Sequence, residues 1–125
     1  MSLFEAMVRA AATVPGIEDP RVRQNHEPSF WLRWQLASLD TDLVSGDLTY
    51  CGHEGPHLVA LWHSDRAVCV SCAGGELDLS GTAEDCRCDR CGEYADPIEV
   101  CLVGAPRFLV AFGLCGNCAA REVIR

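Results

Sequence analysis

Cys88-Asp89-Arg90-Cys91-Gly92 and Cys115-Gly116-Asn117-Cys118 are the stretches on which the fold turns. A C-x2-C turn sets two sulfurs at a separation that one tetrahedral ion spans, and two such turns complete a four-thiolate set. Gly92 after the first turn lets its backbone amides point at sulfur. Between the turns lie two apolar runs, Ile98 to Val103 and Arg107 to Leu114, which read as a hairpin turning at Gly104-Ala105-Pro106. Residues 82–125 therefore read as one metal-bound hairpin unit with Cys88, Cys91, Cys115 and Cys118 as ligands.

The same order of parts occurs upstream. Cys51-Gly52-His53-Glu54-Gly55-Pro56-His57 comes first, then apolar runs from His57 to Trp62 and Arg66 to Val70, with a turn expected at His63-Ser64-Asp65. Val68-Cys69-Val70-Ser71-Cys72-Ala73 closes this unit and matches Leu114-Cys115-Gly116-Asn117-Cys118-Ala119, so the region reads as a repeat of one small unit. Cys51, Cys69 and Cys72 need a fourth donor, either His53 or His57. His53 is preferred because His57 begins a strand, and the long imidazole arm makes up for the short C-x-H spacing. Cys86 stands two residues before Cys88 and is its alternative as a ligand. Cys101 lies in an apolar strand and reads as a small buried hydrophobe. Sequential pairing is preferred to a cross-brace joining the first and third pairs, because Cys88 to Cys118 looks self-contained.

Nine cysteines in 125 residues are an odd number, and Met1-Ser2-Leu3-Phe4-Glu5 lacks the basic start of a secretory leader. Both features favour metal over disulfides and a reducing compartment, the cytoplasm. No run approaches the ~18 to 20 apolar residues that cross a bilayer. The net charge of −8 works against nucleic-acid affinity. Arg87, Arg90, Arg107, Arg121 and Arg125 form the one basic concentration, alongside Asp89, Glu93, Asp96, Glu99 and Glu122.

Residues 1–50 hold no cysteine and read as helical. Ser2-x-x-Glu5 is a capping-box pattern ahead of Leu3, Met7, Ala10, Ala11 and Val14 on one stripe, ended by Pro15-Gly16. Glu18 to Glu27 reads as a polar connection. A second helix is expected from near Ser29 to Val44, stopped by Gly46. Its apolar residues Phe30, Trp31, Leu32, Trp34, Leu36, Leu39, Leu43 and Val44 cover more than one stripe, so it should touch something on two sides. The fold class expected is a small α+β metal-stabilised protein: a helical segment over 1–50, a first zinc unit over 51–81 and a second over 82–125.

Residues 51–125 resemble zinc-ribbon and treble-clef fingers. The second unit is similar to a treble clef, with knuckle Cys88/Cys91, a hairpin, then Cys115/Cys118 opening a short helix. The first is similar to a zinc ribbon, because Gly74-Gly75 opposes a helix after Cys72. The resemblance implies two structural Zn2+ per chain. The function expected is that of a protein-interaction or regulatory module, with a protein partner or self-association. The alternatives are a nucleic-acid binder using the C-terminal arginines, and a zinc or redox sensor with Cys86 as spare thiol. No enzyme is expected, since the chain carries no G-x-S-x-G elbow, phosphate loop, H-E-x-x-H helix or deaminase H-x-E with paired cysteines.

Overall fold

The structure, a computed structural model, describes residues 3–14, 21–23, 29–79, 82–105 and 107–122. Ser2 of the expected capping box, the Pro15-Gly16 stop, Pro106 of the second turn and most of the polar stretch before Ser29 lie outside the described residues. The elements run α1 (Leu3–Ala11), β1 (Arg21–Arg23), α2 (Phe30–Ser45), β2 (Thr49–Tyr50), β3 (His57–Ala60), β4 (His63–Cys69), α3 (Val70–Glu76), a 3-10 turn (Ala83–Cys86), β5 (Glu99–Gly104), β6 (Leu109–Leu114) and α4 (Gly116–Glu122). This is a small α+β protein built on one six-stranded mixed sheet, in the order β1-β5-β6-β3-β4-β2. No helix among the described residues is long and apolar enough to cross a membrane.

Each hairpin is antiparallel: β3 pairs with β4, and β5 with β6. The two hairpins join through a parallel seam, Leu58 to Ala60 against Leu109 to Ala111. Because β3 runs the same way as β6, the end where β3 starts and β4 finishes is opposite the end where β5 starts and β6 finishes. The two cysteine-bearing ends of the repeat therefore sit at opposite ends of a single sheet.

Both faces of the sheet are covered, and alternate residues divide between them. Leu58, Ala60, Val68, Leu102, Leu109 and Ala111 face Ala11 and Val14 at the end of α1 and Ala73 and Leu77 of the α3 region. Val59, Ala67, Cys101, Val103, Val110, Phe112 and Leu114 face Leu32 and Leu39 of α2 and Cys118 and Ala119 of α4. Two-sided burial explains why all six residues of β6 are buried and the run shows no polar alternation. Segments 1–50, 51–81 and 82–125 all contribute to these cores.

Ser29 caps α2, its hydroxyl accepting from the Leu32 amide at 3.1 Å, and the helix stops at Gly46. Leu32 and Leu39 are buried, with Leu36 and Leu43 packed beside them. Trp31 meets Phe112 edge-on at 5.8 Å. Phe30 and Trp34, on the far side, are 78 % and 63 % exposed.

Three expectations need correction. Residues 18–27 do not form only a polar connection, because Arg21–Arg23 adds a parallel strand beside Cys101 to Val103. Its partner is some 80 residues away, so no local pattern announces it. The first hairpin turns at Leu61-Trp62, not at His63-Ser64-Asp65. That apolar turn is held from outside: the Leu61 amide donates to Ala111 at 2.9 Å, and Trp62 Nε1 to the Leu77 carbonyl at 3.2 Å. Gly74-Gly75 does not oppose a helix after Cys72, since α3 runs through both glycines. Two helical glycines cost about 2 kcal/mol relative to alanine, and burial of Ala73 and Leu77 at 0 % and 3 % exposure offsets this.

Candidate metal centres

The first cluster is built where β2 gives way to the loop before β3 and where β4 enters α3. Cys51 is held in place by its amide, which donates to the Ala67 carbonyl at 3.0 Å. Gly52 follows in the left-handed region at φ 87°, where a side chain is strained, and this tight turn brings His53 back over Cys69 and Cys72. His53 Nδ1 lies 3.3 Å from Cys72 Sγ and 3.7 Å from Cys69 Sγ. Cys69 is the N-cap of α3 and Cys72 lies in its first turn, so the positive end of the helix faces the sulfurs.

The second cluster repeats the plan at the other end of the sheet. Gly92, at φ 77°, closes the knuckle by donating to the Cys88 carbonyl at 2.9 Å. Asp89 sews the knuckle to β6: its amide donates to the Gly113 carbonyl at 2.8 Å, and its Oδ2 accepts from the Gly113 amide at 2.7 Å. Cys115 directly precedes α4 and Cys118 is buried in its first turn. Cys91 Sγ and Cys115 Sγ stand 3.9 Å apart.

Cys51, His53, Cys69 and Cys72 form one group whose donor atoms all lie within 4.8 Å of one another, and Cys88, Cys91, Cys115 and Cys118 form the other. Four donors at ~2.0 to 2.3 Å from a tetrahedral ion are separated by about 3.6 to 3.8 Å. The distances of 3.3, 3.7 and 3.9 Å bracket that spacing, so both donor sets fit a tetrahedral ion. The two clusters are compatible with zinc-binding sites.

The thiols of each set are unequal. The His53 backbone amide, joined by that of Cys69, holds Cys51 down at about 5 against the opposing effect of burial. Burial pushes Cys88 up, but the amides of Cys91, Cys115 and Arg90 outweigh it and leave Cys88 at about 7. Cys72 is pushed up to about 11, first by its hydrogen bond with Cys69. Burial, then Cys115, raise Cys118 to about 12. One sulfur per set is thus prepared as a thiolate by backbone amides, while hydrogen bonding among the thiols and burial keep the protons on Cys72 and Cys118.

The structure keeps the other candidates outside the two groups. His57 Nδ1 donates to the Gly55 carbonyl at 2.8 Å, and its Nε2 lies 3.5 Å from Cys51 Sγ. Cys86 ends the 3-10 turn, and its carbonyl accepts from the Ala95 amide at 2.7 Å. Cys101 is fully buried in the α2 face of the sheet.

A supporting link was not visible in the sequence. Glu122 of α4 is buried, pairs with Arg90 of the knuckle at 2.8 Å and accepts from the Ser29 hydroxyl. Arg90 also lies 5.8 Å over the Trp31 ring. The second cluster, the end of α4 and the start of α2 are therefore fastened together. Only the acid at the end of an apolar helical turn hints at this link. No protein-family model, curated protein or solved structure matches the chain.

Proposed function

We propose that this chain is a structural zinc-binding protein that holds two ions and serves as a small protein-interaction module. The observation that carries the reading is the pair of four-donor groups, one at each end of one sheet. Soft thiolate and imidazole donors at tetrahedral spacing suit zinc. Four protein donors fill the tetrahedral shell and leave no position for a water, which supports a structural ion and no enzymatic role. We read both units as treble-clef-like, because α3 opens on Cys69 and Cys72 as α4 opens on Cys115 and Cys118.

The interaction role is supported by Phe30, Trp34 and Val44 on the outer side of α2, away from the core. The arginines lend less support to a nucleic-acid role, since Arg87 pairs with Glu84 at 3.1 Å and Arg90 with buried Glu122. Metal analysis of the purified chain tests the zinc reading, with two Zn2+ expected. Cobalt substitution should give tetrahedral visible bands, and His53→Ala should remove one ion. One ion per chain, or an iron–sulfur chromophore, refutes it.

A further inference from the structure

The turn that builds the first cluster carries two imidazoles, and the fold anchors them differently. His53 is exposed and rides between Gly52 and Gly55, at φ 87° and 101°, in open space where an added Cβ at either glycine meets nothing within 4 Å. His57 starts β3 directly opposite Cys69 of β4, so the sheet fixes its backbone and puts its side chain on the same face as that cysteine.

The His57 ring is oriented as well. A carbonyl only accepts, so the 2.8 Å bond to Gly55 places a proton on Nδ1 and leaves the lone pair of the neutral ring on Nε2. Nε2 lies 3.5 Å from Cys51 Sγ, and Tyr50 meets the ring edge-on with centroids 5.1 Å apart. A sulfur and a ring nitrogen on one tetrahedral zinc stand about 3.6 Å apart, so Cys51 and His57 already have the spacing of two donors to one ion. Yet His57 lies outside the closed set of Cys51, His53, Cys69 and Cys72. It is a fifth donor beside a four-donor site.

We propose that Cys51 and His57 are the landing pair through which zinc enters and leaves the first cluster. The inference rests on reading that cluster as a zinc site, and it makes this ion the exchangeable one of the two. A filled tetrahedral shell gives up its ion one donor at a time, and a replacement donor close by lowers the cost of each step. As His53 lifts away on its glycine-flanked turn, His57 Nε2 takes its place beside Cys51, and the remaining positions open to water or a small carrier ligand. Arrival runs through the same steps in reverse. Two protein donors alone hold zinc weakly, so the pair sets the rate of exchange and leaves occupancy to the four-donor set. The second cluster is fastened instead, with Asp89 bonded to Gly113 of β6 and Arg90 paired with buried Glu122.

The test follows replacement of bound natural zinc by isotopically enriched zinc, using native mass spectrometry of the full chain at constant zinc, with circular dichroism as fold control. The wild type should exchange in two phases, one ion each. His57→Ala should slow the faster phase about tenfold or more, with two ions retained and the slower phase unmoved. His57→Gln, which stays polar but loses the ring nitrogen, should do the same, and free imidazole should restore the fast phase to both variants. A purely structural His57 gives the opposite sign, because losing its bond to Gly55 loosens the turn and speeds release. Unchanged or faster exchange, a slowed phase that imidazole does not restore, or loss of an ion from either variant overturns the proposal. Fewer than two ions on the wild type overturns the zinc reading and this inference with it, whereas two ions with an indifferent His57 overturns this inference alone.

Discussion

Stripping both ions should unfold the entire chain, α2 included. Structural zinc supplies roughly 10 to 16 kcal/mol of apparent binding free energy, against about 5 to 15 kcal/mol of net stability for a domain. Removing even one ion thus costs an amount comparable with the whole net stability of a domain. Helices α3 and α4 have seven residues each, too short to persist once no ion holds their first turns. Loss of α4 takes Cys118 and Ala119 from the core that receives Leu32 and Leu39, and it releases Glu122 from Ser29 and Arg90. The assay is far-UV circular dichroism with tryptophan fluorescence during chelation, followed by zinc return. Trp31, 5.8 Å from Phe112, reports the α2 contact directly. Cys118→Ala should reproduce the loss, whereas Cys86→Ala should leave both signals alone. Unchanged spectra in verified metal-free protein, or two transitions with α2 surviving the first, would refute the reasoning.

Cys101→Ser should keep both ions, because this buried cysteine belongs to neither donor group, while urea titration shows a loss of about 1 to 3 kcal/mol. Gly75→Ala should raise stability by about 1 kcal/mol by the same titration, since an added Cβ there meets nothing within 4 Å. Zinc loading near neutral pH should release protons from Cys72 and Cys118, whose pKa values of about 11 and about 12 keep them protonated beforehand. Protons and zinc compete for the same sulfurs, so affinity falls with pH. Calorimetry in buffers of different ionisation enthalpy measures the proton count, and a count of zero would refute this account.

The parts legible in the sequence were those with local causes. Paired cysteines at turn spacing and the Ser29-to-Gly46 frame of α2 each depend on residues a few positions apart. The double stripe on α2 was visible as excess apolar residues, though not which side would stay exposed. What escaped depends on distant partners. Arg21 to Arg23 becomes a strand only because β5 offers an open edge. Leu61-Trp62 turns because β6 and the Leu77 carbonyl hold it. Gly74-Gly75 stays helical because Ala73 and Leu77 are buried around it. Asp89 and Glu122 gained their roles from neighbours 24 and 32 residues away, Gly113 and Arg90. The two hairpins read as separate units because a parallel seam leaves no short-range sign.

That seam has a consequence for synthesis. Residues 57–60 leave the ribosome some fifty residues before Leu109 to Ala111, their parallel partners. At ~5 to 20 residues per second, the edge of β3 waits several seconds with unpaired amides and an apolar row exposed. Zinc captured early by Cys51, His53, Cys69 and Cys72 would hold the first hairpin in shape but could not cover that edge. Nascent chains stalled between residues 75 and 105 should therefore be the most prone to aggregate and the most dependent on chaperones, more so than either shorter or completed chains.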